Sequence, residues 1–154
     1  MRMELPRDKP YWIVVADDAG AVVYGRETMR GPLSELFSLR NEAARMKTGE
    51  LLSDRGGRSF DSLGQGRHTM TKEHGPKEHA SEVFAKDIAE RIRKAVHGGD
   101  CRGYALIAAP RFLGRLNESV SRIVSEPPFL AIDKNVVGRE TAFIEKLIAD
   151  YRET

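Results

Sequence analysis

One cysteine, Cys101, is the only thiol in this 154-residue chain. A disulfide within the chain needs two and a thiolate zinc cage needs more, so both are excluded. Cys101 follows Gly98-Gly99-Asp100 just before an apolar run, where it reads as a small buried hydrophobe in a helix-to-strand connection. Long hydrophobic stretches are missing as well. Nothing approaches the roughly 20 residues that cross a bilayer, and the polar lead-in of residues 1–10 has no apolar signal core. A reducing, cytoplasmic setting without a membrane partner is therefore expected. Charge of one sign is also lacking. The 25 basic and 23 acidic residues leave a net +2, too little to make the whole chain a nucleic-acid binder, so any basic footprint must be local.

What remains is ordinary globular material, 40% hydrophobic and 31% charged, in a length that suits one domain, residues 11–154. Tyr11–Ala16 and Ala21–Glu27 are β-rich runs joined by the turn residues Asp17-Asp18-Ala19-Gly20, a hairpin pattern. Leu33–Arg40 fits a third strand or a helical turn, and the strand is favoured. A helical turn is expected around Ala43–Met46. Gly75-Pro76 opens a helix along Ala80, Phe84, Ile88, Ile92 and Ala95, joined by Val83 and Val96, and Gly98-Gly99 closes it. Tyr104–Ala109 reads as a strand covered on both faces. Pro110 starts a second helix along Leu113, Leu116, Val120, Ile123 and Val124, stopped by Pro127-Pro128. A short strand, Phe129–Ile132, and a third helix along Phe143, Ile144, Leu147, Ile148 and Tyr151 complete the chain. The order β-β-β-α-β-α-β-α, an antiparallel meander followed by right-handed crossovers, predicts an α/β fold with a ribonuclease H-like mixed sheet and helices on both faces.

Between these elements lies a long loop, Ser53–Lys72, with Gly56, Gly57, Gly64 and Gly66 and the cations Arg55, Arg58, Arg67 and Lys72. Loops of this length in compact domains are usually functional or disordered. Nuclease chemistry with paired magnesium ions needs several converging carboxylates. Asp17 ends the first strand, but Ala108-Ala109-Pro110-Arg111 ends the fourth without an acid, and Asp17 and Asp18 read as turn residues. His68, His74 and His79, with Asp54 and Asp61, lack the spacing of four that stacks two ligands on one helix face, so no metal and no cofactor are expected. Ser53, Ser59 and Ser62 near His68 match no nucleophile elbow or triad order.

Anion recognition suits the loop better. In Asp54-Arg55-Gly56-Gly57-Arg58-Ser59 and Gly64-Gln65-Gly66-Arg67-His68, glycines allow close backbone approach while guanidinium forks match phosphate oxygens. The plain alternative is a solubilising loop. Arg111 lies just after a buried parallel strand, where open α/β sheets bind ligands; it fits either an anion contact or a surface arginine.

Trp12–Asp17, Ser53–Ser62, Gly64–His68, Pro76-Lys77-Glu78-His79, Phe84-Ala85 and Ala109–Gly114 together resemble the bacterial host attachment family, over roughly residues 11–150. Gly56 stands where that family often has proline. The family is in turn similar to the central, ribonuclease H-like domain of archaeal and eukaryotic class 1 release factors. There a Gly-Gly-Gln loop precedes a long helix and enters the peptidyl-transferase centre. Here the Arg/Gly loop precedes the long helix in the corresponding place, but Gly64-Gln65-Gly66 lacks the Gly-Gly-Gln order. The resemblance thus implies a ribosome or RNA partner, with Gln65 as a weak candidate for a peptidyl-tRNA-hydrolase-like step, and favours a binding domain over an enzyme. A module binding a protein partner in attachment to host cells, without nucleic acid, is the alternative; a small ester or phosphate hydrolase is the minor one. Oligomeric state is not legible.

Overall fold

A computed structural model of the chain describes residues 9–43 and 75–153. Tyr11–Ala16 forms β1, Gly20–Arg26 β2 and Ser34–Arg40 β3; Tyr104–Ala108 forms β4 and Leu130–Ile132 β5. The helices are α1, Pro76–His97, α2, Pro110–Ile123, and α3, Thr141–Glu153. The strands make one mixed sheet in the order β3-β2-β1-β4-β5. The β1-β2 and β2-β3 pairs are antiparallel, whereas β1-β4 and β4-β5 are parallel.

The central strands read as unbroken apolar runs because both their faces are covered. Trp12, Val14, Ala16, Tyr104, Leu106 and Ala108 point to one side, against Phe84, Ile88 and Ile92 of α1 and Phe112, Leu116 and Val120 of α2. Ile13, Val15, Ala105, Ile107 and Ile132 point to the other, against Ile144 and Ile148 of α3. The period of two along each strand thus separates two cores, one per face.

Helix α1 begins at Pro76, whose missing N–H costs nothing in the first turn. It ends where Gly98 N–H donates to Lys94 O at 2.9 Å and Gly99 N–H to Val96 O at 3.2 Å. Gly99 has φ +79°, a left-handed conformation that an L side chain resists. At α2, Pro110 keeps Ala109 extended, with ψ 144°. Ala109 therefore leaves β4 and becomes the helix cap, although its N–H still reaches Ala16 O at 3.3 Å.

Other expected boundaries move by a residue. Glu27 and Leu33 fall outside β2 and β3, and Phe129 falls outside β5. Four side chains assigned to apolar stripes are exposed: Val83, Ile123, Phe143 and Tyr151. Each lies at a flank of its stripe, beyond the narrower strip of helix that meets the sheet, and the Arg139 guanidinium covers the Phe143 ring at 3.7 Å. Of the helical turn expected over Ala43–Met46, only Ala43 is among the described residues, where it is helical. No helix among the described residues is long and apolar enough to cross a membrane.

Two ionisable groups are walled into the first core. Burial pushes the Cys101 thiol from 9.0 up to about 11, with the Asp100 charge adding and a backbone hydrogen bond at Gly103 opposing. Burial likewise pushes the Tyr104 phenol from 10.0 to about 12, helped by the charge of Glu126. Its hydroxyl donates to Glu126 O at 2.7 Å, a bond only the neutral phenol can make. Both groups hold their protons more tightly folded than unfolded. The folded state therefore keeps their full contribution below about pH 9 and loses it as pH rises toward 11 and 12. Denaturant melts at pH 8 and pH 11 should differ by about 3–4 kcal/mol from these two groups. The Cys101→Ala/Tyr104→Phe double variant should lose most of that difference, and an unchanged pH slope in it would refute the assignment.

Candidate functional site

The carboxyl ends of the three parallel strands meet at one edge of the sheet. β1 delivers Asp17, β4 delivers Ala109 and the start of α2, and the chain after β5 delivers Asn135. Asp17 N–H donates to Gly20 O at 2.9 Å, while its Oδ1 accepts from the N–H groups of Ala19 at 2.8 Å and Gly20 at 3.0 Å. Its Oδ2 accepts from Asn135 Nδ2 at 3.3 Å. Asp17 is thus a turn-forming side chain of the kind the sequence suggests. Among the described residues, no three of His, Cys, Asp and Glu gather around a common point.

The same turn holds both ends of the described chain that flank residues 44–74. Asn41 N–H donates to Ala19 O at 3.0 Å. The Asn41 side-chain amide, buried, donates to Asp18 O at 2.9 Å and to Ala80 O of α1 at 3.3 Å. Ser81, also buried, donates from Oγ to Asp18 Oδ1 at 2.5 Å. One asparagine therefore ties the exit from β3, the β1-β2 turn and the second turn of α1 together. The described residues on either side of that segment therefore both stand at the carboxyl edge of β1 and β4.

Beside this clamp the first turns of α1 and α2 lie against each other, joined by ions. Arg115 pairs with Glu78 and, at 3.4 Å, with Glu82. Arg111 reaches Glu78 only at 3.7 Å, and its side chain is 77% exposed. Arg115 Nε is buried with no hydrogen-bond partner among the described residues. Neither Gly75 nor Ala109 supplies a capping side chain, so the leading amides of both helices open onto the same edge. Positive helix ends and an exposed guanidinium favour an anion there. The acids Glu78, Glu82, Asp17 and Asp18 outnumber the cations Arg111 and Arg115, so these described residues alone do not make the edge basic.

Of the expected site residues, Arg111 stands at this edge. Asp54, Arg55, Gly56, Gly57, Arg58, Ser59, Gly64, Gln65, Gly66, Arg67 and His68 lie outside the described residues, as does the loop Ser53–Lys72 to which they belong. His79 is exposed on α1, its N–H donating to Gly75 O at 2.9 Å. The sequence reading missed Asn41, Ser81 and Arg115. For Arg115 a signal existed: Arg111 and Arg115, like Glu78 and Glu82, are four apart, which puts each pair on one helical face. Asn41 and Ser81 carry no such mark, because only the tertiary fold brings them to Asp18.

The clamp makes a stability prediction. Asn41→Ala removes the donor for two backbone carbonyls, and the cost should be about 1–3 kcal/mol in urea melts. Ser121→Ala, which removes an exposed hydroxyl bonded to Glu118 O, should stay within about 0.5 kcal/mol. Equal effects for the two would contradict the clamp.

A search of the curated proteins finds no match to the chain. A family profile described as "Protein required for attachment to host cells" matches residues 12–148. The match runs from the second residue of β1 into α3, so it includes the clamp, both helix starts and the segment between them. The chain belongs to the family of proteins required for attachment to host cells.

Proposed function

We propose that this host attachment family protein is a release-factor-like domain that acts in the cytoplasm on the ribosome or its RNA. The contacts come from the Arg/Gly-rich segment, with Arg55, Arg58, Arg67 and His68 on phosphates and the neighbouring glycines letting the backbone approach. The observation that carries this reading is how the described residues on either side of residues 44–74 are held. Asn41 after β3, and Ala80 and Ser81 in the 22-residue helix α1, are joined at the Asp17–Gly20 turn, at the same sheet edge as the exposed Arg111. The strand order β3-β2-β1-β4-β5, antiparallel on one side of β1 and parallel on the other, supports a ribonuclease H-like description of the sheet. Phosphate contacts of this kind add a local, salt-sensitive attraction that a net charge of +2 does not forbid. Hydrolysis through Gln65 is not part of the proposal, since Gly64-Gln65-Gly66 lacks the Gly-Gly-Gln order.

A second reading takes the family description at its word: a module that binds a protein partner during attachment, with no nucleic acid. Fractionation of tagged full-length protein on ribosome gradients separates the two. The RNA reading predicts co-sedimentation with ribosomal particles at low salt that fades as salt rises. The Arg58→Ala/Arg67→Ala variant should bind about tenfold more weakly, with a shallower salt dependence by about 1–2 in log–log slope. Arg111→Ala should weaken binding without changing stability. Absence of ribosome binding at low salt, with a protein partner recovered instead, would favour the second reading.

A further inference from the structure

The opposite end of the sheet, about 15–20 Å away along β1 by strand rise, holds a second charged feature. β2 ends at Arg26, paired across from Tyr11 at the start of β1. Arg26 falls two residues after Tyr24, so it lies on the same face, toward α3. It is only 6% exposed. Its Nε and Nη2 donate to a single acceptor, Gly31 O, at 2.9 and 2.6 Å. A guanidinium has five N–H donors, so three are left over.

Burying a cation is costly unless an opposite charge meets it. Among the described residues no carboxylate forms an ion pair with Arg26. The nearest acid in charge terms, Glu145, has its Oε2 occupied by the Leu33 N–H at 2.9 Å. Burial lowers the Arg26 pKa, the Glu145 charge opposes this, and the charge of Arg152 lowers it further. Arg26 opens onto a groove of about 390 Å³ between the 26–30 turn and α3, lined also by Arg30, Lys146 and Arg152, with Glu145 as its one acid. Lys146 is shared with Asp150 at 3.4 Å. Even with that pairing the groove keeps a surplus of positive charge around an arginine with N–H donors to spare.

We propose that this groove is an anion site for a phosphate group, present either as inorganic phosphate or as a phosphomonoester such as a mononucleotide. Arg26, held in place through Gly31 O, offers its remaining Nη1 and Nη2 hydrogens as the pair that a tetrahedral oxyanion matches bidentately. Arg30 and Arg152 close on it from the solvent side, and Lys146 adds a point charge. Met29 and Ala149, which also line the groove, offer apolar contact to the organic part of an ester. The site is independent of the Arg/Gly segment at the other end of the sheet, and so of the function proposed above.

The test uses the full chain, with inorganic phosphate and adenosine monophosphate as separate probes against chloride of matched ionic strength. Calorimetric titration and thermal melts should show saturable binding and a raised Tm with at least one of the two. Tighter binding of the nucleotide identifies the ester as the ligand, and equal binding identifies free phosphate. Arg30→Ala/Arg152→Ala, both changes being at the groove's outer rim, should keep the wild-type Tm in chloride and bind at least about tenfold more weakly. Arg26→Lys keeps the charge but not the fork and should weaken binding as well. Arg58→Ala/Arg67→Ala should bind as wild type does. The proposal is overturned if neither probe differs from chloride, if the Arg30/Arg152 variant binds like wild type, or if the Arg58/Arg67 variant abolishes binding.

Discussion

Parallel pairing of β1 with β4 is the constraint from which the rest of the molecule follows. Trp12–Ala16 lie beside Tyr104–Ala108 in register, and every one of these ten residues is buried. Parallel neighbours cannot be joined by a tight turn, so the chain must travel a long way between them. It uses that distance for the antiparallel β2-β3 flap, for residues 44–74 and for α1. Both faces of the pair then need covers. α1 and α2 take one face and α3 the other, which divides the apolar residues into two clusters meeting only through the sheet. The same pairing brings the carboxyl ends of β1 and β4 side by side, and so sets the Asp17–Gly20 turn next to the start of α2.

Much of this was legible because local and global preferences agree. β1 and β4 are runs that only a doubly covered strand wants, and α1 has proline at its first position and a left-handed glycine after its last turn. Disagreements arise where packing geometry, rather than residue type, decides. Val83 and Ile123 lie one step beyond the contact strip of their helices and stay exposed. Ala109 is apolar enough for a strand, yet Pro110 makes it a cap. Buried polar groups were the least legible. Asn41, Ser81 and Arg26 stand in sequence contexts typical of surfaces, and only long-range partners, Asp18, Ala80 and Gly31 among them, explain their burial. Arg111 could be placed from its position after a buried strand, whereas the other expected site residues fall in the undescribed segment.

The two ends of the sheet differ in electrostatic design. At the carboxyl edge Arg115 and Arg111 are matched by Glu78 and Glu82, with Asp17 and Asp18 beside them. What distinguishes that edge is organisation: a buried asparagine fixing three chain segments, and two helix starts without side-chain caps. At the other end a buried arginine has no ion-pair partner among the described residues, and the surplus charge faces a groove. The first arrangement suits the proposed presentation of a segment to a large partner, and the second suits the proposed small anionic ligand.

The proposed contact between the Arg/Gly segment and RNA can be trapped covalently. Placing a photo-reactive amino acid at Gln65 in the full-length protein, irradiating cells and identifying what becomes attached tests it most directly. Contact with RNA predicts adducts to ribosomal RNA that diminish when Arg58 and Arg67 are also replaced by alanine. Adducts to proteins alone, at the same yield with or without those arginines, would contradict it.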